Sequence, residues 1–198
     1  MNNNITDVRE SYNGASHFAN DANYEVQRSN HFEIVIDLAA IGLGVEDANS
    51  SDSYQTAIRL CCTSAPIPSI QINPQQLRHG NELINVAGSP QWNEINISVY
   101  DVIGRDMAGL LQQWFWRVFD PNTHTMGLVV SYKTTATIYE YSPDASVIRA
   151  WTVFGVFPTR LEFGQMQANG QGEPVTIQMT LAVDKSVQRV VKAEKSNI

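Results

Sequence analysis

The side chains that could do chemistry in this sequence are scattered. The four histidines lie far apart and form no HExxH or His-x-His pair, the spacings that bind a metal ion. The sequence also has no glycine-rich phosphate-binding loop and no Gly-x-Ser-x-Gly nucleophile turn. We therefore predict no catalytic residue, no metal site and no cofactor. The histidines are His17, His31, His79 and His124.

The two cysteines, Cys61 and Cys62, are adjacent. Neighbouring side chains on a strand point to opposite faces, so the pattern disfavours a disulfide between them. Their spacing matches no zinc or redox motif. We expect one buried thiol and one thiol at the surface or an interface, with a disulfide between subunits as the alternative.

Aromatic side chains are concentrated between residues 114 and 119. Such a group could stack on nucleic-acid bases, but nucleic-acid binding also needs interleaved basic residues, and Arg117 stands alone there. Trp114 and Phe115 fall on the apolar face of a helical pattern. Packing in the core is therefore the better interpretation. The other aromatic residues of the group are Trp116 and Phe119.

The composition describes an acidic protein with many amide side chains. The 198 residues carry 13 Lys and Arg against 20 Asp and Glu, a net charge of −7, which disfavours a surface that grips phosphates throughout. Asn (16) and Gln (13) nearly equal the 33 charged residues. Amides bond across interfaces without burying charge, so this composition favours repeated self-contact, although neutral drift of the surface explains it too.

The length favours one domain, and several protein classes are disfavoured. No apolar run approaches the roughly 18 residues of a membrane span, and the first residues lack the basic and apolar regions of a secretory signal. We therefore expect no membrane anchoring. Residues 1–30 are polar and poor in aliphatic side chains, so we interpret them as an N-terminal arm.

The first half of the chain shows mainly alternating patterns. Residues 31–38 and 54–62 predict two strands, which we join as a hairpin with a long tip at 42–53. In the second strand, Ile58, Leu60 and Cys62 share one face. Because residues 65–82 contain three prolines, we expect an edge strand or a long loop there. Residues 94–100 alternate again.

One segment changes to the helical period. Its apolar residues follow i, i+3, i+4, i+7, i+8 and i+11, which predicts an amphipathic helix from about 103 to 119. Asp101 is the predicted N-cap. The apolar stripe consists of Met107, Leu110, Leu111, Trp114, Phe115 and Val118.

Strands resume after this helix, at 128–139, 147–156 and 174–183. In the last of them Ile177, Met179 and Leu181 face one way, while Thr and Gln face the other. The pattern predicts a mainly β fold, an antiparallel sandwich or barrel of six to eight strands with one amphipathic helix. The domain spans residues 31–184, and residues 185–198 form a C-terminal tail.

Three short segments form a pattern along the chain. The first is Ile-Asn-Val-Ala-Gly at 84–88, ahead of Trp92 and a strand. The second is Gly-Val-Phe-Pro at 155–158, and the third is the closing strand, which ends in Thr-Leu-Ala-Val-Asp at 180–184. In this order and spacing, the three segments resemble the tail tube proteins of contractile-tailed bacteriophages. This family is related in fold to the inner-tube proteins of type VI secretion and contractile injection systems.

The resemblance implies a structural virion protein and not an enzyme. It implies hexameric rings with a β-barrel lumen, stacked into a tube as a conduit for DNA ejection. Implied partners are further copies of the chain, the tail sheath, baseplate and tail terminator proteins, with the tape measure protein and genomic DNA transiently in the lumen. The implied location is the phage tail, assembled in the host cytoplasm. A negatively charged lumen would let DNA slide without sticking.

Two alternatives stay open. Residues 1–30, 42–53 and 185–198 look longer than the family usually carries, which would also suit a tube-initiating ring of the baseplate or the tube of an injection system. From a different class, a β-sandwich carbohydrate-binding module would need an exposed aromatic platform on a strand, and Trp151 is the candidate.

Overall fold

A computed structural model describes residues 27–44, 54–169 and 172–190. These ranges contain three α-helices and eleven strands, so the predicted mainly β, antiparallel fold is confirmed. The helices are α1 (Tyr54–Cys61), α2 (Met107–Val118) and α3 (Val129–Tyr132). The strands are β1 (Phe32–Ile36), β2 (Cys62–Ser64), β3 (Ile70–His79), β4 (Glu82–Trp92), β5 (Ile95–Tyr100), β6 (Phe119–Asp120), β7 (Thr125–Met126), β8 (Thr134–Tyr141), β9 (Val147–Glu162), β10 (Thr176–Ala182) and β11 (Lys185–Val190).

Seven strands form one antiparallel sheet with two distinct halves. Strand β9 is 16 residues long and belongs to both. Up to Val156 it pairs with β8 on one side and with β11 on the other, and from Phe157 onward it pairs with β10. We call β1, β8, the start of β9 and β11 the first half-sheet. The end of β9, β10, β5 and β2 form the second half-sheet.

Side chains from both half-sheets and the helices meet in one hydrophobic core. On β10, Ile177, Met179 and Leu181 are buried, as their alternation predicts. On β5 the buried positions are Ile95, Ile97 and Val99. Burying each such side chain contributes about 1.5–3 kcal/mol, so the alternation fixes which face of the second half-sheet points inward.

The predicted amphipathic helix is confirmed with different ends. Helix α2 covers 107–118, inside the predicted 103–119. Its N-cap is Asp106, whose carboxylate accepts a hydrogen bond from the Gly109 N–H at 2.8 Å. Asp101 is not the cap, because its own N–H donates to the Val175 carbonyl beside β10. Met107, Leu110, Leu111 and Trp114 are buried.

The strand predicted at residues 54–62 is wrong. Residues 54–61 form α1, and β1 pairs with β8, not with a neighbouring hairpin strand. Ile58 is buried while Leu60, two residues on, is 76% exposed, so the period-two pattern does not describe the burial. Half-buried Tyr54, Ala57 and Cys61 complete a helical face against the core.

Two other segments also differ from the prediction. Residues 129–132 of the predicted strand 128–139 form α3, and the carbonyl of its last residue, Tyr132, accepts the Trp114 indole N–H from α2. One helix was expected and the described ranges hold three. Residues 185–190, expected to be part of a tail, form β11 on the first half-sheet. Most of the arm 1–30 and of the tip 42–53, and residues 191–198, lie outside the described residues.

Candidate assembly surfaces

Two of the three sequence motifs meet where β9 passes from one half-sheet to the other. Gly155 has φ 66°, and a Cβ there would lie 2.1 Å from the Asp184 carboxylate. The Asp184 carboxylate accepts Lys133 Nζ at 2.5 Å, and the same ammonium lies 5.4 Å from the centre of the Phe157 ring. Gly155, Phe157 and Asp184 therefore act together: they hold the bend that orients the second half-sheet.

The second half-sheet presents a polar face on the side away from the core. Alternate residues of β5 and β10 point there, and Thr180 donates its hydroxyl hydrogen to Asn96 Oδ1 at 2.7 Å. The charged groups of this face are Arg160 and Glu162 on β9, which form an ion pair. Beside this face, just before β5, the exposed Glu94 carboxylate accepts the Thr159 hydroxyl at 3.4 Å. Its uncharged members are Asn96, Ser98, Thr176, Gln178 and Thr180.

The same half-sheet ends in two strands that lack an outer partner. Residues Phe157–Glu162 of β9 pair with β10 on one side, and no other strand in the described part of the chain pairs with their second side. At the opposite end, β2 has three residues and pairs with β5. Such edges present free backbone N–H and C=O groups, which makes them templates for pairing with another chain.

Strands β3 and β4 form a separate two-stranded hairpin. Each pairs only with the other among the described strands, and every residue of β3 is exposed. The turn uses Gly80 at φ 62°. A Cβ on Gly88, the glycine of the first motif, would lie 2.2 Å from the Asn73 carbonyl oxygen at an irregularity of the ribbon. An isolated hairpin is marginal in water, so this one needs a further surface to stabilise it.

Strand β3 lies within the region predicted as an edge strand or loop at 65–82 and is paired on one side only. Its partner β4 was not predicted, although the Gly80-Asn81 pair between two alternating segments is a hairpin signal. The exposed large apolar side chains of the hairpin are Ile70, Ile72, Leu77, Leu83 and Ile84.

Residues 126–130 form a second exposed apolar surface, which we call the outer run. The Gly127 N–H donates to the Val118 carbonyl at 3.0 Å, so the run begins against the C-terminal end of α2. Trp114 is fully buried in the core, whereas Trp116 is 41% exposed near this surface. In the outer run the exposed fractions are Met126 70%, Leu128 75%, Val129 58% and Val130 80%.

The residues that could do chemistry are not brought together. Among the residues that the structure describes, no three His, Cys, Asp or Glu side chains gather to hold a metal ion. A cavity of about 470 Å³ between β1, β8 and residues 63–67 contains Glu140. Both oxygens of that carboxylate are engaged, by Arg149 and by the Trp151 indole N–H. His17 lies outside the described residues.

The structure shows the surroundings of the cysteine pair and of Trp151. Cys61 ends α1 and Cys62 begins β2; both are half-buried and free, and burial raises the pKa of Cys62 to about 11. Trp151 is half-buried against the core, with its indole N–H 2.6 Å from Glu140 Oε1, so it does not form an exposed platform for a sugar.

None of the described helices has the length and hydrophobicity of a membrane span.

No known protein family and no curated protein matches the chain by sequence. Solved structures do match it in fold. The tube-terminating cap of the anti-feeding prophage shares 19% identity over 84% of this chain and 93% of its own, with a TM-score of 0.61.

Two further structures agree. A chain of the extended sheath–tube complex of PVC, an extracellular contractile injection system, has a TM-score of 0.60 at 15% identity, covering 89% of this chain and 97% of its own. A chain of the anti-feeding prophage baseplate has a TM-score of 0.58 at 13% identity, covering 85% of this chain and 98% of its own. The matched chains come from a tube-terminating cap, a sheath–tube complex and a baseplate. The chain is therefore a tail-tube-like protein in fold, as its three sequence motifs imply.

Proposed function

We propose that this chain is a structural subunit of a contractile tube, in which hexameric rings stack around a central channel. The observation that carries the proposal is the second half-sheet, which has a polar outer face and an unpaired edge on β9. Pairing the β9 edge of one copy with the β2 end of the next would continue the sheet around a ring. A closed ring removes the edges that otherwise invite aggregation.

The size of such a ring suits a conduit. Six copies of the four-stranded half-sheet give a barrel of about 24 strands. With strands about 4.8 Å apart and tilted about 40°, the barrel is roughly 50 Å across at the backbone. Barrels of about 16–18 strands already enclose an aqueous channel, so this one would stay open.

The polar face of the half-sheet would line this channel. Its amides and hydroxyls would contact cargo, with the Arg160–Glu162 pair as its charged groups. In a phage tail the cargo would be genomic DNA, with the tape measure protein before it. The tube would contact the sheath, baseplate and terminator, and the complete particle would be a virion assembled in the host cytoplasm.

A second candidate is the tube, cap or baseplate ring of an extracellular injection system. The observation that favours it is the similarity in fold to a chain of the sheath–tube complex of such a system. Neighbouring genes distinguish the two candidates: portal and capsid genes indicate a phage, whereas toxin genes indicate an injection system.

Ring formation is tested by native mass spectrometry and negative-stain microscopy of concentrated protein. Six copies of the 22.0-kDa chain give a ring of about 132 kDa, and we expect rings and hollow tubes. A protein that remains monomeric at high concentration, with and without a tail extract, contradicts the proposal.

The channel lining is tested by thiol accessibility. In a background with Cys61→Ser and Cys62→Ala, Gln178→Cys should react in tubes with a small maleimide but not with a polymer-linked maleimide wider than the channel. Met166→Cys, at a 90% exposed position outside the half-sheet, is the matched control and should react with both reagents. Equal labelling of Gln178→Cys by both reagents in intact tubes would place this face outside the channel.

A further inference from the structure

We propose that the Phe163 side chain of one copy packs against the β2 end of the next copy and enters the cavity beside it. The inference rests on the ring-forming function proposed above and deepens it, because it names the side chain that anchors the joint between neighbouring subunits. It commits to a second copy of this chain as the occupant of this cavity.

Phe163 lies on the core side of the unpaired β9 edge. The last residue of β9 pairs with Gln178, so Phe163, one residue on, stands opposite the buried Ile177. A Cβ on Gly164 would lie 2.6 Å from the Thr176 carbonyl oxygen, so the chain still runs beside β10 at this point. Phe163 is nevertheless 44% exposed, because no strand in the described part of the chain covers this side of β9.

The β2 end has exposed apolar side chains of its own. Leu60, two residues before β2, is 76% exposed, and Ile67, three residues after it, is 52% exposed. Between them, Cys62 stands opposite Val99 and packs half-buried against the core. A further strand beside β2 would remove these apolar side chains from water, which favours association.

Strand direction and register bring the two ends together. The four strands of the second half-sheet alternate in direction, so β9 of one copy and β2 of the next are antiparallel when the sheet continues around a ring. Cys62 is opposite Val99, and Val99 is opposite Ile177. One row across the half-sheet therefore runs from Phe163 at one edge to Cys62 at the other. Ring closure brings these two row ends of neighbouring copies together, to within the stagger of barrel strands.

The cavity beside β2 has room for the phenyl ring. Its volume is about 470 Å³, and Thr63 and Ser64 of β2 line it. An apolar cavity of roughly 150 Å³ is already large enough to take up benzene. The apolar walls include Phe32, Ile67 and Ile138. A ring that enters from the next copy would contact β1, β8 and the segment after β2, and aromatic side chains seated in such pockets are the usual anchors of interfaces.

The first test is photo-crosslinking in assembled protein. A benzophenone amino acid replaces Phe163, and this chain, labelled with ¹⁵N, is mixed with an excess of the unlabelled natural chain before assembly. We expect mass spectrometry to find crosslinks between labelled and unlabelled chains, from position 163 to residues 60–67. The same probe at Met166, which is 90% exposed in the same segment, is the matched control and should give far fewer crosslinks to 60–67.

Substitutions provide a second readout, the concentration at which half of the protein forms rings. Phe163→Asp and Leu60→Asp should each raise this concentration about tenfold or more. Phe163→Leu keeps an apolar side chain, so it and the control Met166→Asp should change the concentration by less than about threefold. Circular dichroism of dilute protein checks each subunit's fold. Leu60→Asp keeps the test decisive if Phe163→Asp fails to fold, because Leu60 is largely exposed.

The failure of this inference is distinct from the failure of the ring proposal. Intact rings without crosslinks from position 163 to residues 60–67 of another chain overturn the inference and leave the ring proposal standing. The same holds if Phe163→Asp lowers the thermal stability of the subunit but forms rings at the natural concentration, because the side chain would then serve only its own core. An unmodified chain that never assembles overturns both.

Discussion

At the scale of single residues, the thiol of Cys62 gives a test that depends on pH. Burial raises its pKa in the folded state from the ordinary 9.0 to about 11, because a thiolate is poorly solvated beside the core. Above pH 9 the unfolded chain releases this proton and the folded chain keeps it. The Cys62 contribution to stability is therefore complete below pH 9 and is lost as the pH rises toward 11.

We expect the free energy of unfolding to fall more steeply between pH 9 and 11 in the natural chain than in Cys62→Ala. The measurement is urea unfolding at several pH values, and the difference between the two proteins removes the effect of other groups that titrate in this range. Parallel curves for the two proteins would show that Cys62 is ionised as easily in the folded chain as in the unfolded one.

Two ion pairs of this chain should differ in their contribution to stability. Glu140 is 5% exposed and binds Arg149 at 3.1 Å and Trp151 at 2.6 Å. Glu140→Ala leaves the indole N–H and the guanidinium without this acceptor, so we expect a loss of about 2–3 kcal/mol in denaturant unfolding.

The matched control for that pair is Glu162→Ala. Both partners of the Arg160–Glu162 pair are largely exposed, and exposed pairs contribute about 0–1 kcal/mol. A loss as large as that of Glu140→Ala would contradict the ranking by burial.

At the scale of elements, the phase of α2 is tested by its two tryptophans. Trp114 is fully buried and donates its indole hydrogen to the Tyr132 carbonyl at 2.8 Å, whereas Trp116 faces solvent. Trp114→Ala should cost about 3–5 kcal/mol of unfolding free energy. Trp116→Ala should cost much less in the isolated subunit, and equal losses would mean that the helix is phased differently.

The bend of β9 is tested by three glycine substitutions. Gly155→Ala would impose a positive φ on alanine, at about 1–2 kcal/mol, and would also drive its Cβ into the Asp184 carboxylate. Gly80→Ala has a positive φ but open space around the added Cβ, and Gly104→Ala meets neither obstacle.

We therefore expect thermal unfolding temperatures to fall most for Gly155→Ala, less for Gly80→Ala and hardly at all for Gly104→Ala. The difference between the first two variants isolates the contact with Asp184. If the unfolding temperature of Gly155→Ala were no lower than that of Gly80→Ala, the bend would not depend on the close approach of Asp184.

At the scale of the whole molecule, the terminal arm and the tip at 42–53 are expected to join neighbouring copies. These segments are polar, with too little apolar surface to offset an ordering entropy of about 1–2 kcal/mol per residue within one subunit. In the described part of the arm, the Gln27 amide donates to the Tyr141 carbonyl and the Arg28 carbonyl accepts the His31 N–H. Deleting residues 1–25, or replacing 45–52 with a short Gly-Ser linker that leaves the buried Leu43 in place, should therefore shorten or weaken tubes.

The measurement is tube length by negative-stain microscopy, with circular dichroism as the control that each subunit still folds. Tubes of normal length and stability from both variants would show that these segments do not join rings.

The sequence by itself determined which side chains point inward in several elements. Alternation at 95–99 and 177–181 and the helical stripe from Met107 to Trp114 report a local property, the face on which a side chain lies, and burial follows it because apolar faces leave water. The three motifs in register also indicated the fold. The reactive side chains are not grouped in the sequence, so no active site was predicted.

Only the tertiary structure decided which elements meet. Strand β1 pairs with β8, about a hundred residues later, and Gly155 meets Asp184 at the bend. Residues 54–61 have both a period-two and a helical pattern of apolar side chains, and the choice of helix depends on the face that the core covers. Pairing, bends and exposed assembly surfaces depend on contacts between distant segments, which local periodicity does not encode.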